Sequence, residues 1–444
     1  MLHLKRAPSP ACPYAGAVSL SRFRSAPLPT KVLIVCFYFP PAGGGGVQRP
    51  LKLARYLPEL GIETHVLAPT DPRWIHRDTE LSIPEQARVH RTPYLGPRGR
   101  LPAEELFGRS GFDRLWRRAL LTPRRLLIPD ENTPWLATAL PAALRIVRRE
   151  KIDVVLTTSP PSSVHVLGAT LKRLTGVRWV ADLRDSIVAK PDRDFERALV
   201  RVKELAHRRV ARLVARRADA IICVTPTIAE QMHALGARGE VETIPNGADL
   251  DDFAGVAYTP GERFRITHTG SFFGKRDPRP FLSALTQIEA PITARFVGDL
   301  RAADKAWVES LGLGERLQLI PFRPHHEAVE LQRNSDALLL LLPNEGGRGL
   351  DVPSGKLYEY LAARRPILAS VPPEGAAAEL VRAARAGVVV PPEDGEAIRA
   401  ALAELVERWR RGELADIDLP AEIVERIDRK ERVREIGELI ERIA

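Results

Sequence analysis

Four consecutive glycines, Gly43 to Gly46, lie between an apolar run, Val32 to Phe37, and a helical pattern at Val47, Leu51, Ala54, Leu57 and Leu60. No other stretch restricts the fold so strongly. A short apolar run ended by Pro40-Pro41-Ala42 reads as a buried strand, and Gly61 stops the helix that follows. Glu63 to Ala68 reads as a second strand. This strand-loop-helix-strand order begins a doubly wound parallel sheet. The glycines let backbone approach a ligand and aim N–H groups and a helix dipole at an anion, so Gly44, Gly45 and Gly46 are candidate phosphate or sugar contacts. The spacing is not GxGxxG, and no acidic residue closes the second strand in the dinucleotide-binding manner, which argues against a nicotinamide dehydrogenase.

The alternation continues. Ile152 to Leu156, Trp179 to Asp182, Ala220 to Val224 and Val241 to Ile244 read as strands, and residues 248–262 as a linker. The pattern then restarts with strands at Arg265 to Thr269, Ala294 to Val297, Leu317 to Ile320, Ala337 to Leu342, Pro366 to Ala369 and Gly387 to Val390. Residues 396–412 and 421–443 read as helices. Two domains of similar size result, and the cleft between them is the default site.

Several short constellations face that cleft by their place at strand ends. Asp351-Val-Pro-Ser-Gly-Lys-Leu-Tyr-Glu359 predicts an N-cap at Ser354 and a helix from Gly355 through Ala362. Its N–H groups and Lys356 form an anion site. Glu359, one turn on, suits vicinal hydroxyls, and Asp351, just before the cap, suits a sugar hydroxyl. Thr269-Gly270-Ser271 followed by Lys275-Arg276 places two cations near small residues, which suits a diphosphate; a surface loop has the same appearance. Trp179-Val-Ala-Asp182-Leu-Arg184-Asp185 sets two carboxylates and an arginine at a strand's carboxyl end, with a structural salt bridge as the other reading.

Charge divides the chain. Residues 1–244 hold 39 Lys+Arg and 23 Asp+Glu, a balance of +16, whereas the rest holds 27 and 33, a balance of −6. The halves therefore face different partners. Residues 98–125 carry eight Arg against three acids, and apolar residues at 112, 115, 116, 119 and 120 form a helical stripe. Arg114, Arg117 and Arg118 oppose that stripe beside Trp116, the pattern of an interfacial helix on an anionic leaflet; a core-facing helix has the same period. The basic runs lack interleaved aromatics and no nucleic-acid motif occurs, so nucleic acid is not an expected partner. Cys12, Cys36 and Cys223 are too scattered for a disulfide framework or cysteine zinc site, which suits the cytosol. No apolar run reaches the roughly 18–20 residues of a spanning helix. Residues 1–30 lack Asp and Glu and read as a disordered leader.

Together these residues resemble glycosyltransferase family 4, the retaining nucleotide-sugar transferases of GT-B fold. The likeness rests on Phe39-Pro-Pro-Ala-Gly-Gly-Gly-Gly-Val47, Asp182-Leu-Arg-Asp185, Ile244-Pro-Asn-Gly247, Thr269-Gly-Ser271 and Pro353-Ser-Gly-Lys-Leu-Tyr-Glu-Tyr-Leu361. It implies an α/β chain of two Rossmann-like doubly wound domains facing a central cleft. Residues 31–250 would bind acceptor and membrane, residues 251–420 would bind the nucleotide-sugar donor, and the helix at 421–444 is suited to packing back on the first domain.

By the same resemblance Gly44, Gly45, Gly46, Gly270, Ser271, Lys275, Arg276, Ser354, Gly355, Lys356, Leu357 and Glu359 bind donor, and Asp351, Arg184 and Asp185 line the reacting centre. Ser271 and Asp351 stand where the family often has Arg and Glu. The likeness implies retention of configuration, with no cofactor and no catalytic metal. A glycan or lipid-linked sugar is the expected acceptor, at the inner membrane face where Arg114, Trp116, Arg117 and Arg118 would dock the protein peripherally. A degenerate, non-catalytic binder and a sugar-nucleotide epimerase of the same fold are the alternatives.

Overall fold

The computed structural model describes residues 29–71, 76–97, 111–112, 115–116, 124, 126–188, 198–272, 276–300, 302–344 and 350–444. The leader up to residue 28 and the site candidates Arg114, Arg117, Arg118 and Lys275 lie outside the described residues. Strands β1 (Lys31–Cys36), β2 (Glu63–Pro69), β3 (Arg88–Thr92), β4 (Val154–Ser159), β5 (Arg178–Leu183), β6 (Ala220–Cys223) and β7 (Glu240–Thr243) form the first sheet. Strands β8 (Phe264–Thr269), β9 (Ile292–Val297), β10 (Leu317–Ile320), β11 (Ala337–Leu341), β12 (Ile367–Ser370) and β13 (Gly387–Val390) form the second.

Every pairing between these strands is parallel. The sheet orders are β3-β2-β1-β4-β5-β6-β7 and β10-β9-β8-β11-β12-β13. Each order reverses once, between β1 and β4 and between β8 and β11. Crossovers leave in opposite directions at such a point, so a crevice opens beyond the strand carboxyl ends. The loop after β1 carries Gly43 and Gly44, with Gly45 and Gly46 opening the helix Gly45–Tyr56, and the loop after β8 carries Gly270 and Ser271. Both therefore reach the cleft for a topological reason.

Burial explains which strands periodicity exposes. β4 is buried along its whole length and β11 likewise, so both read as unbroken apolar or small-residue runs. β3, like β7, β10 and β13, is less covered. Its sequence Arg-Val-His-Arg-Thr is only partly buried at the sheet edge, and hydrophobic pattern alone does not mark it.

The C-terminal segment departs from a single helix over 421–443. It forms two helices, Ala421–Ile427 and Arg429–Ile443, broken at Asp428, whose backbone is extended and whose carboxylate accepts from the Lys430 N–H at 2.9 Å. The break has a use. Ile423 and Ile427 belong to the core of the second domain, whereas Val433, Ile436, Leu439 and Ile440 belong to that of the first. The chain crosses between domains at Asp428, where Ala248 and Asp428 form a parallel bridge. Gly247 permits the crossing, since a Cβ there would lie 2.6 Å from the Ile427 carbonyl oxygen.

Leu439 is fully buried in the first core. Leu439→Ala is expected to destabilise the protein by about 2–5 kcal/mol, through lost burial and a residual cavity. Urea denaturation measures this, with Glu441→Ala on the exposed face as a control expected within about 0.5 kcal/mol of wild type.

Candidate active site

The cleft encloses about 1450 Å³. Gly44, Gly45, Gly46, Arg184 and Asp185 line it from the first domain, and Gly270, Ser271, Arg276, Asp351, Ser354, Gly355, Lys356 and Glu359 from the second. Most candidates from the sequence thus come together on two facing walls. Leu357 does not join them. It is wholly buried in the second core, because it lies on the helix face turned toward β11 and β12. Its role is packing. Trp116 is 58% exposed and does not line the cleft.

The Gly355–Ala362 helix begins where expected, but Ser354 does not cap it through its side chain. Ser354 has φ 70°, a left-handed conformation rare outside glycine, and its hydroxyl makes no capping bond. Ser354, Gly355 and Lys356 line the cleft, so this helix opens on it by an N-terminal end that no side chain caps.

Two cations lie at that end. Burial, then the neighbouring Arg276 charge, hold Lys356 well below the usual lysine range, partly offset by Glu359. Burial likewise lowers Arg276. An anion between them would reverse both penalties. Gly270 makes room: its φ is 112°, and a Cβ there would lie 2.3 Å from Lys356 Cε. Glu359 accepts a bond from Gln332 Nε2 at 3.1 Å, and the same amide nitrogen donates to Thr269 Oγ1 at 3.0 Å.

The first wall is built differently. Asp182 and Arg184 do not act as one exposed pair. Asp182 is fully buried beneath the cleft, gripped by Arg49 Nε at 3.1 Å and Nη2 at 2.9 Å, with Thr158 Oγ1 at 2.7 Å. Arg184 turns the other way. Its Nε donates to the Ser159 carbonyl at 2.6 Å and its Nη1 to the Gly46 carbonyl at 2.7 Å, so it braces the glycine-led first turn of the Gly45–Tyr56 helix. Burial raises the Asp185 carboxyl above its ordinary value, against the pull of Arg184.

Several cleft residues escape sequence reasoning. Arg49 sits within an amphipathic helix and looks like solvated charge. His76 crosses to the second domain and stacks on Phe322, centroids 4.4 Å apart. His325, at the start of the His325–Arg333 helix, reaches Asp252 in the linker. Arg429 enters only because the chain crosses at Asp428, and its guanidinium bonds the Gly247 carbonyl. The signal available for Arg49 and His325 is only their residue type; partners some 130 and 70 positions away decide their roles.

Among the described residues one cluster brings metal-ligand atoms together: Glu63, His65 and Glu150. It lies outside the cleft lining. Arg88 Nη1 stands 3.4 Å from Glu63 and 3.2 Å from Glu150, so a side chain already neutralises those carboxylates.

Comparison with known proteins fits this geometry. Residues 44–247 match the model of a glycosyl transferase 4-like domain, and residues 257–418 match glycosyl transferases group 1. No curated protein matches the sequence. Among solved structures, sucrose-phosphate synthase from Thermosynechococcus elongatus superposes with a TM-score of 0.63 at 17% identity, covering 93% of this chain and 98% of that one. Anabaena HepE in complex with UDP-glucose gives 0.60 at 16% identity, covering 93% and 99%. The UDP-forming trehalose-phosphate synthase from Burkholderia xenovorans, in complex with glucose-6-phosphate, gives 0.58 at 12%, covering 93% and 100%. At these identities the likeness is one of fold.

Removing Arg49 would leave Asp182 charged and buried without its partner. Arg49→Ala is expected to cost about 3–5 kcal/mol of stability, read from denaturant unfolding at neutral pH.

Proposed function

Since the chain belongs to the glycosyltransferases of GT-B architecture, with a family 4-like first domain and a group 1 second domain, we propose that it transfers a sugar, with retention, from a nucleotide-sugar donor to a glycan or lipid-linked acceptor. One observation carries the donor assignment: Lys356, in the first turn of a helix, and Arg276 beside it stand half-buried in the cleft, with Glu359 one turn further along the helix. A diphosphate satisfies both cations and the free N–H groups, and a ribose satisfies the carboxylate. The UDP-glucose complex of HepE supports a donor of this class on this fold.

The chemistry follows from where charge grows. As the bond from the anomeric carbon to the diphosphate oxygen breaks, negative charge collects on the leaving group. Lys356, Arg276 and the helix N–H groups are placed to meet that charge as it develops. Side chains and backbone do that work, with no metal ion or cofactor required. The acceptor oxygen bonds to the same face of the sugar, and its proton passes to the departing phosphate. Asp351 orients the donor sugar. Arg184 holds the glycine-led helix start in place at the acceptor wall, beside Asp185.

The acceptor side faces a membrane in this reading. Phe112, Leu115 and Trp116 are exposed within the arginine-rich segment, and apolar side chains flanked by cations suit an anionic lipid surface. Among the described residues no helix is long and apolar enough to span a bilayer, so docking would be peripheral.

Transfer from a panel of nucleotide sugars, scored by release of nucleoside diphosphate, tests the donor site. Lys356→Ala is expected to lower kcat/KM by about 10²–10³-fold, as loss of one transition-state donor does. Glu359→Ala is expected to raise KM by about tenfold, the worth of one charged hydrogen bond. Rates should persist in EDTA. Wild-type turnover in both variants would remove the assignment, and release of an altered donor without acceptor would identify an epimerase instead.

Pelleting with anionic vesicles tests docking. Changing Arg114, Arg117 and Arg118 together to Glu should abolish binding at low salt, whereas unchanged pelleting excludes this segment as the anchor.

A further inference from the structure

A carboxylate in the linker touches both walls of the cleft. Asp252, in the linker, accepts Lys52 Nζ of the first domain on Oδ1 at 2.7 Å and meets His325 Nε2 of the second on Oδ2 at 2.9 Å. Lys52 also reaches Asp249, which takes the Tyr56 hydroxyl at 2.5 Å. His325 is gripped from its other side too, since its backbone N–H donates to Asp78 Oδ2 of the first domain at 2.8 Å. The His325 side chain lines the cleft that holds Glu359.

We propose that His325 is a positioning residue: as an imidazolium it ties the donor wall to the linker through Asp252, and its proton governs how firmly the cleft closes on a nucleotide sugar. The proposal rests on the donor reading above and goes beyond it by naming what holds the walls together.

The surroundings favour the charged ring. Burial opposes the imidazolium, but the bond to Asp252 and the charges of Glu359 and Asp252 outweigh it, and Lys52 detracts only in part, so His325 lies above the usual histidine range. Asp252 lies at about 2; burial works against its charge, and His325 and Lys52 overcome that. On its own helix the charged neighbours already have partners. His326 meets Glu80 at 3.3 Å, and Glu327 meets Arg323 at 3.5 Å. Toward β8 the helix is held by the neutral Gln332–Thr269 bond.

The sign follows by linkage. A raised imidazole contributes fully below the ordinary histidine value near pH 6.5 and loses its contribution as pH rises through the raised value. Closure, and with it donor affinity, should weaken from mildly acidic to alkaline pH. Lys356, held low, loses charge in the same direction. The variants, not the wild-type slope, therefore decide.

The test uses the full chain and UDP-glucose, whose diphosphate is esterified at both ends and does not titrate near neutrality. Calorimetric affinity between pH 5.5 and 8.5 should fall roughly tenfold beyond any fall in His325→Gln, the worth of one charged hydrogen bond lost as the ring deprotonates. His325→Gln should bind weakly at low pH and lose that extra slope. His325→Asn serves as a second replacement, and His326→Gln should follow wild type. Small-angle scattering of the unliganded protein gives a second readout: the radius of gyration should grow with pH in wild type and stay constant in both His325 variants. If UDP-glucose fails to bind wild type at every pH, this donor is wrong and scattering alone decides the clamp. Wild-type pH dependence that survives in the His325 variants, in either readout, overturns the proposal, and so does a wild-type radius that ignores pH.

Discussion

The Arg49–Asp182 pair underlies the geometry of the whole first wall. Asp182 lies next to the end of β5 in the interior and Arg49 lies on the Gly45–Tyr56 helix, so their contact fixes that helix against the sheet. Arg49 Nη1 also donates to the Pro245 carbonyl at 3.0 Å, which anchors the turn leading into the linker. One guanidinium thus sets three segments at once. Both partners are nearly inaccessible to water, so the pair adds little by attraction alone and is costly to break singly. Its value is definition of position. Arg184 can brace the glycine-led turn only because the strand end below it is already held.

The second wall works by the opposite principle. Asp182 is satisfied by its own chain, whereas Lys356 and Arg276 are brought together against burial and mutual repulsion. Folding energy supplied by the surrounding core offsets that cost. Leu357, Tyr360 and Leu361 pack the same helix into the second domain and so hold its N-terminus at the cleft. A site organised in advance around missing negative charge binds most strongly when charge is greatest, which is the condition of a departing diphosphate. The sign change along the chain acquires a local meaning here. The second half is acidic overall, yet its cleft lining holds Arg276, Lys356 and Arg323 together.

Sequence reading captured what depends on local order. Strand runs, the glycine loop after β1, the helix start at Gly355 and the restart near residue 264 are all set by periodicity and turn chemistry within a few residues. It missed what depends on edges and distance. β3 is polar because an edge strand is only half covered. Leu357 shares a motif with true cleft residues but occupies the inward face of the helical turn. Asp182 and Arg184 are two positions apart, which places both on one side only while the strand stays regular. β5 ends at Leu183, and Arg184 is free to turn toward Gly46. His76, His325 and Arg429 gain meaning solely from tertiary placement.

The crossing at Asp428 links stability to the site. A terminal helix that packed on its own domain would add only to that domain's core. Here the last helix completes the first core after the chain has already finished the second, so the linker and the C-terminal segment run side by side between the domains. Two parallel connections restrict relative motion more than one, and rotation of one domain on the other must bend both. Arg429 sits at that crossing and faces the cleft, hydrogen-bonded to the Gly247 carbonyl. Burial, then repulsion from Arg49, lower it to about 10, while Glu359, Asp249 and Asp252 pull the other way. The same three carboxylates border the donor site and the Lys52–His325 clamp. The hinge and the cleft therefore share one charge network, and a change in the separation of the walls alters the field at Glu359 without any contact to it being made or broken.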